Sequence, residues 1–199
     1  MKKNLEELKK LLIVVDMVNG FVREGNMADK QIEHIIPEQL RLINKILNEK
    51  EEVAFIKDGH NKGCKEFDRY PEHCVLDTSE SDLVDELKVF EKEGLSYIKN
   101  STSTMYAPGF INDIDMMKSL KEVIITGCCT DICVMNLAIP LQNYFDQNDR
   151  RVDIIVPTNA VETYGTDFHN RDEYNQMAFK LMKQAGIKLV KRYGGNNGK

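Results

Sequence analysis

The sequence has no long apolar run, no excess of basic charge, no surplus of cysteine and no internal repeat, and each absence removes a class of protein. The apolar stretch "LLIVV" follows a basic start but stops at Asp16, too short for a secretory core or a membrane helix. Lys and Arg number 27 against 32 Asp and Glu, so the net charge of -5 offers no basic face to nucleic acid. The pairs Lys2-Lys3 and Lys9-Lys10 are interrupted by acids and read as a solvated helix face. Five cysteines are an odd number in a chain of 199 residues, large enough to need no staples, which argues against a disulfide framework. The expectation is a cytoplasmic protein in a reducing compartment, with no nucleic-acid and no membrane partner. With no linker or low-complexity tract, the chain reads as a single domain over residues 1–199, with a frayed tail from about 193 to 199.

What is there is alternation. "LLIVVD" (11–16), "EVAFIKD" (52–58), "LSYIKN" (95–100), "EVIITG" (122–127), "VDIIVP" (152–157) and "IKLVKR" (187–192) are short β-branched apolar runs ending at polar or turn residues. Such runs mark strands covered on both faces. Between them lie helix-like stretches over 31–50, 79–90, 112–120, 130–145 and 171–186, with Pro37 marking a fresh start, Pro140 a kink and Gly186 a stop. Strand and helix alternating throughout predict a doubly wound α/β fold with a mainly parallel six-stranded sheet. In such folds ligands bind beyond the carboxyl ends of the strands, where strand order reverses.

The residues at those ends carry chemistry. Asp16 closes the first strand, Asp58 the second and Lys99 the third, and "GCCTDIC" leads from the fourth strand into its helix. Cys133 falls a few residues into that helix, where a helix N-terminus and a nearby ammonium both favour thiolate. Cys128 and the side chain of Cys129 read as small hydrophobes. A zinc cluster is disfavoured, because structural sites use paired C-x₂₋₄-C units. A second constellation, "KDGHNKGCKEFDRYPEHCVLDT" (57–78), supplies Asp58 and His60 two residues apart, then Glu66 and His73, a donor set suited to Zn²⁺, Fe²⁺ or Mn²⁺. His34 and His169 read as surface or packing residues.

Taken together, these motifs resemble the isochorismatase-like cysteine hydrolases, and within them the nicotinamidase branch. The similarity rests on "DMVNGF" after the first strand, "DGH" with a later "HCV", the third-strand lysine, and "GCCTDICV" matching G-x-x-T-D-x-C-V. The resemblance implies a catalytic triad of Asp16, Lys99 and Cys133. It also implies an oxyanion hole from the backbone N–H groups of Cys129 and Cys133, with a cis peptide at Cys128–Cys129. It implies one divalent ion, zinc foremost, on Asp58, His60 and His73, with Glu66 as a fourth ligand. Phe21 and Tyr70 match positions that enclose the substrate ring. The activity implied is hydrolysis of nicotinamide to nicotinate and ammonia through a thioester, feeding NAD salvage, in a homo-oligomer. The alternative is another small amide, carbamoyl or ureido substrate. Departures from the family pattern bear on substrate choice. "CC" precedes T-D, "KNSTSTMY" puts Met105-Tyr106 after the third strand, and the His60–His73 loop is short.

Overall fold

All the apolar runs read as strands pair into one sheet in the computed structural model, which describes residues 3–195. The strands are β1 (Lys10–Val15), β2 (Glu52–Asp58), β3 (Leu95–Lys99), β4 (Glu122–Cys128), β5 (Asp153–Pro157), β6 (Val161–Glu162) and β7 (Lys188–Val190). They run in the order β3-β2-β1-β4-β5-β7, and every pairing is parallel. The doubly wound α/β expectation is borne out. The sheet gains a seventh strand, β6, which pairs with the end of β4 at Gly127 and Cys128, beyond the pairing with β5. Two residues are too few to show a hydrophobic period in sequence.

Around the sheet lie α1 (Asn19–Val22), α2 (Ile36–Asn48), α3 (Asp85–Lys88), α4 (Phe110–Met116), α5 (Met135–Gln147) and α6 (Arg171–Gln184). Alternate residues of the central strands feed two separate cores. Leu11, Ile13, Val15, Val123 and Ile125 pack with Leu137, Leu141 and Phe145 of α5. Leu12, Val14, Val53, Phe55 and Ile124 pack with Leu42, Ile43 and Ile46 of α2. Each such side chain contributes about 1.5–3 kcal/mol by leaving water, and burial on both faces is why β1, β2 and β4 read as unbroken apolar runs. β3 is an edge strand instead, with Ser96 and Ile98 exposed.

Proline placement follows its chemistry. Pro37 sits in the first turn of α2, where its missing N–H costs nothing. Pro140 lies inside α5 and cannot donate to the carbonyl of Asn136. That carbonyl instead accepts the Ser103 hydroxyl at 2.9 Å, which ties the loop after β3 to α5. The helix expected over 79–90 is interrupted, with a 3₁₀ turn at Ser79–Ser81 and only α3 beyond it. Asn19 N–H donates to Asp82 and Val84 N–H to Met17, so those backbone groups are committed across the chain and not along a helix. Within the stretch expected to fray from about 193, Tyr193 is held: its hydroxyl donates to Glu122 at 2.7 Å and Arg41 donates to its carbonyl. Residues 196–199 lie outside the described residues. Among the described residues, no helix is long and apolar enough to cross a membrane.

The chain winds outward from β1 to β2 and β3, then crosses back to β4 on the other side of β1. The reversal therefore falls between β1 and β4, and the crevice at their carboxyl ends is the expected ligand position.

Candidate active site

Asp16, the first residue past β1, turns left-handed at φ 50°, a conformation aspartate tolerates better than most. Its N–H donates to Ile56 at 2.9 Å and its carbonyl accepts the Cys128 thiol at 3.2 Å, so the backbone is fixed from both neighbouring strands. On the other side of the switch, Gly127 has φ 115°, and a Cβ there would run into the backbone of Val15. Only glycine lets β4 approach β1 this closely while turning into the next segment. The following peptide, Cys128–Cys129, is cis, as the resemblance implies. Thr130–Val134 then forms a π-helical turn ahead of α5, and this turn carries Cys133.

Lys99 ends β3 in register with Asp58, and its side chain reaches across the end of β2 toward β1. Its Nζ lies 2.8 Å from Asp58 Oδ1, 2.9 Å from Asp16 Oδ2 and 3.7 Å from Cys133 Sγ. Three groups far apart in sequence thus meet at one point, all buried. Burial alone would lower the Lys99 pKa, but Asp16, Asp58 and Cys133 outweigh it and hold the ammonium well above the usual range. For Asp16, burial pushes the carboxyl up, Lys99 pulls it down and Asp58 pushes it up again, bringing it to about 6. Neither Asp16 oxygen receives a well-directed hydrogen bond among the described residues, which leaves acceptor capacity beside Cys133.

Burial adds a factor that position near a helix start does not show. It pushes Cys133 well above its ordinary value, with Lys99 opposing and the two aspartates reinforcing. A buried thiol of this kind needs a base beside it in order to react as a nucleophile.

The second constellation closes onto the same corner. Asp58 Oδ2 lies 3.0 Å from His60 Nε2 and 3.2 Å from His73 Nε2, and Glu66 Oε1 is 3.9 Å from His60 Nε2. All four residues are buried, and their donor atoms lie within 4.8 Å of one another. The outward nitrogens fit a metal site. His60 Nδ1 donates to Asn100 Oδ1 at 2.8 Å and His73 Nδ1 to the Pro71 carbonyl at 2.7 Å, which turns both Nε2 atoms toward the carboxylates. Ligating histidines characteristically anchor their second nitrogen in this way. Two imidazoles and two carboxylates suit zinc, iron or manganese.

Between the two sets opens a narrow cleft. Asp58, Glu66 and His73 line one part and Cys129 and Cys133 another, while Phe21, Met27, Tyr70 and Ile132 supply apolar walls. Phe21 and Tyr70 both pack against the His73 ring, at 5.4 and 6.3 Å between centroids. The Cys129 N–H donates to no backbone or side-chain acceptor among the described residues.

Several contributors were not visible in sequence. Phe67 packs edge-on against both His60 and His73, Asn100 orients His60, and Met27 walls the cleft. Adjacency to Lys99 was the one signal for Asn100. His34 is exposed, as expected of a surface residue. His169 is only 7% exposed and bonded to Asp131, two residues from the nucleophile position.

Comparison with known proteins adds a family. The isochorismatase domain matches residues 10–192. The chain is 29% identical to Nicotinamidase 1 of Arabidopsis thaliana, over 92% of this chain and 82% of that protein. Among solved structures, it superposes on N-carbamoylsarcosine amidase from Thermoplasma acidophilum with a TM-score of 0.77 at 20% identity, covering 96% of this chain and 100% of the other. It superposes on pyrazinamidase of Pyrococcus horikoshii in complex with zinc with a TM-score of 0.71 at 23% identity, covering 92% and 98%. At those identities the likeness to the two structures is one of fold.

Proposed function

The chain belongs to the isochorismatase family and is an amidohydrolase acting on C–N bonds, and on that premise we propose that it is a metal-assisted nicotinamidase. The observation that carries this reading is the shared ammonium. Lys99 bridges Asp16, beside the thiol, to Asp58, within the metal-ligand set, so one cleft offers a nucleophile and an electrophilic anchor together. In this reading a flat heteroaromatic amide enters the cleft with its carboxamide toward Cys133 and its ring nitrogen toward the ligand set.

Asp58, His60, His73 and Glu66 would hold the divalent ion, zinc foremost, which supplies Lewis acidity that orients and polarises the ring. The bond-making belongs to the protein's own groups. Asp16 takes the proton from Cys133 Sγ as the sulfur adds to the amide carbon. Lys99 stays charged and holds both aspartates in place through the step. The oxyanion is received by the N–H groups of Cys129 and Cys133. Asp16 returns its proton to the amide nitrogen as the C–N bond breaks and ammonia leaves, giving a thioester. It then deprotonates a water that attacks the thioester carbon, and Cys133 recovers its proton as nicotinate is released.

The test is ammonia release from nicotinamide by zinc-supplemented protein, with Cys133→Ala as the control that abolishes it. No turnover by the metal-replete enzyme removes nicotinamide as substrate. Turnover of a carbamoyl or ureido compound that survives metal stripping would identify the alternative substrate class.

A further inference from the structure

Outside the reacting groups, one polar assembly is built directly onto the turn that carries the nucleophile. Asp131, two residues before Cys133, accepts the Thr163 hydroxyl through Oδ1 at 2.5 Å and faces His169 Nε2 through Oδ2 at 2.9 Å. His169 Nδ1 lies 3.0 Å from the Tyr164 carbonyl. Both ring nitrogens therefore face oxygen atoms of neighbouring groups. The ring is stacked between Tyr164, at 3.9 Å, and Tyr174, at 3.6 Å, so it has no room to rotate away.

The far side of the assembly is anchored as firmly. Tyr174 belongs to the first turn of α6, whose start is capped by the Asn170 side chain accepting from Glu173 at 3.1 Å. Arg171 donates to the Thr163 carbonyl at 2.8 Å and pairs with Asp29. The start of α6 thus acts through His169 and Asp131 on a π-helical turn, a local geometry that needs outside support.

We propose that His169 and Asp131 form a positioning clamp that holds the Cys133 turn in register with Asp16 and Lys99. The clamp touches neither substrate nor metal; it fixes where the sulfur stands. The inference rests on Cys133 being the reacting group, but not on which amide is hydrolysed.

The experiment reads the sulfur directly. Cys133 in the folded protein is alkylated with iodoacetamide at fixed pH, and its rate constant is followed by peptide mass, a readout that needs no substrate. His169→Phe keeps an aromatic ring between the two tyrosines and removes both ring nitrogens. Alkylation at Cys133 is expected to slow about tenfold, within the cost of a displacement on the order of 1 Å at a reacting group. His169→Gln restores one donor toward Asp131 and should recover part of that loss. On any amide the enzyme turns over, kcat should fall while KM holds. A wild-type alkylation rate in His169→Phe overturns the proposal. So does a variant that melts earlier yet reacts normally while folded, which would make the pair merely structural. Should His169→Phe fail to fold, Asp131→Asn, which keeps the acceptor for Thr163, is read by the same rate against the same two outcomes.

Discussion

Asp16 and Asp58 stand on either side of a single ammonium, 2.9 and 2.8 Å from Lys99 Nζ, with almost no solvent access. Replacing Lys99 with methionine removes the ammonium between two buried carboxylates and takes from Asp16 its ion-pair partner. Removing one partner of a buried ion pair costs about 3–5 kcal/mol. Lys99→Met is expected to lose stability on that scale in denaturant titration and to lose turnover entirely. The double variant Lys99→Met with Asp16→Asn should regain part of the stability and none of the activity.

As the proposed base, Asp16 should govern the acid side of the rate. Burial and Asp58 raise its carboxyl, against the pull of Lys99, to about 6. The ionised form is the base, so kcat/KM should fall about tenfold per pH unit below that value. A bound cation draws off the Asp58 charge, so the limb should move lower as the metal site fills. Asp16→Asn should lose at least about 100-fold in kcat/KM. A profile flat between pH 5 and 7 would remove Asp16 from the role.

His60 should make the metal-free protein pH-sensitive in the opposite direction. Burial works against the charged ring, but Asp58, Asn100 and Glu66 outweigh it and carry His60 up to about 9. A histidine with a raised folded-state pKa contributes stability in full below its ordinary value of about 6.5. That contribution is lost as pH rises through about 9. Metal binding requires the neutral ring. Melting temperatures of metal-free protein should therefore decline across this window, while those of zinc-loaded protein hold. Parallel curves for the two forms would contradict the ligand assignment of His60.

Asn100 reaches the metal site only through His60. Losing an outer hydrogen bond of this kind typically costs about 10–100-fold in metal affinity. Asn100→Ala should show that loss in zinc competition titrations while keeping the Cys133 alkylation rate within twofold of wild type.

Ser103 tests the proline repair in α5. Ser103→Ala leaves the part-buried Asn136 carbonyl without its 2.9 Å donor, at a cost of about 1 kcal/mol, the low end for an unsatisfied acceptor. Adding Pro140→Ala supplies the missing helical N–H and should recover most of that loss in chemical denaturation.

The sequence disclosed what local chemistry controls. β1, β2 and β4 were legible because covering on both faces demands continuous β-branched runs. Asp16, Asp58 and Lys99 were legible because their positions at strand ends are set by register, and Cys133 because its turn leaves β4 beside β1. What stayed hidden depends on tertiary contacts. The break at Val84 comes from a hydrogen bond to Met17, and β6 exists only because β4 outlasts its pairing with β5. The burial of Cys133, which pushes its thiol up against the pull of Lys99, stayed hidden for the same reason, since proximity to a helix start says nothing about burial. His169 was passed over because its partners, Asp131 and the two tyrosines, are assembled from three separate segments.

The thiol of Cys128 grips the carbonyl of Asp16 across 112 residues of chain, at the seam where β1 meets β4. The proposed reacting groups straddle that seam, with Asp16 and Lys99 on its early side and Cys133 on its late side. A growing polypeptide therefore stays chemically silent until its second half docks beside its first. Two separately expressed pieces, cut in the exposed turn around Lys118, should be inert apart and active only once they reassemble.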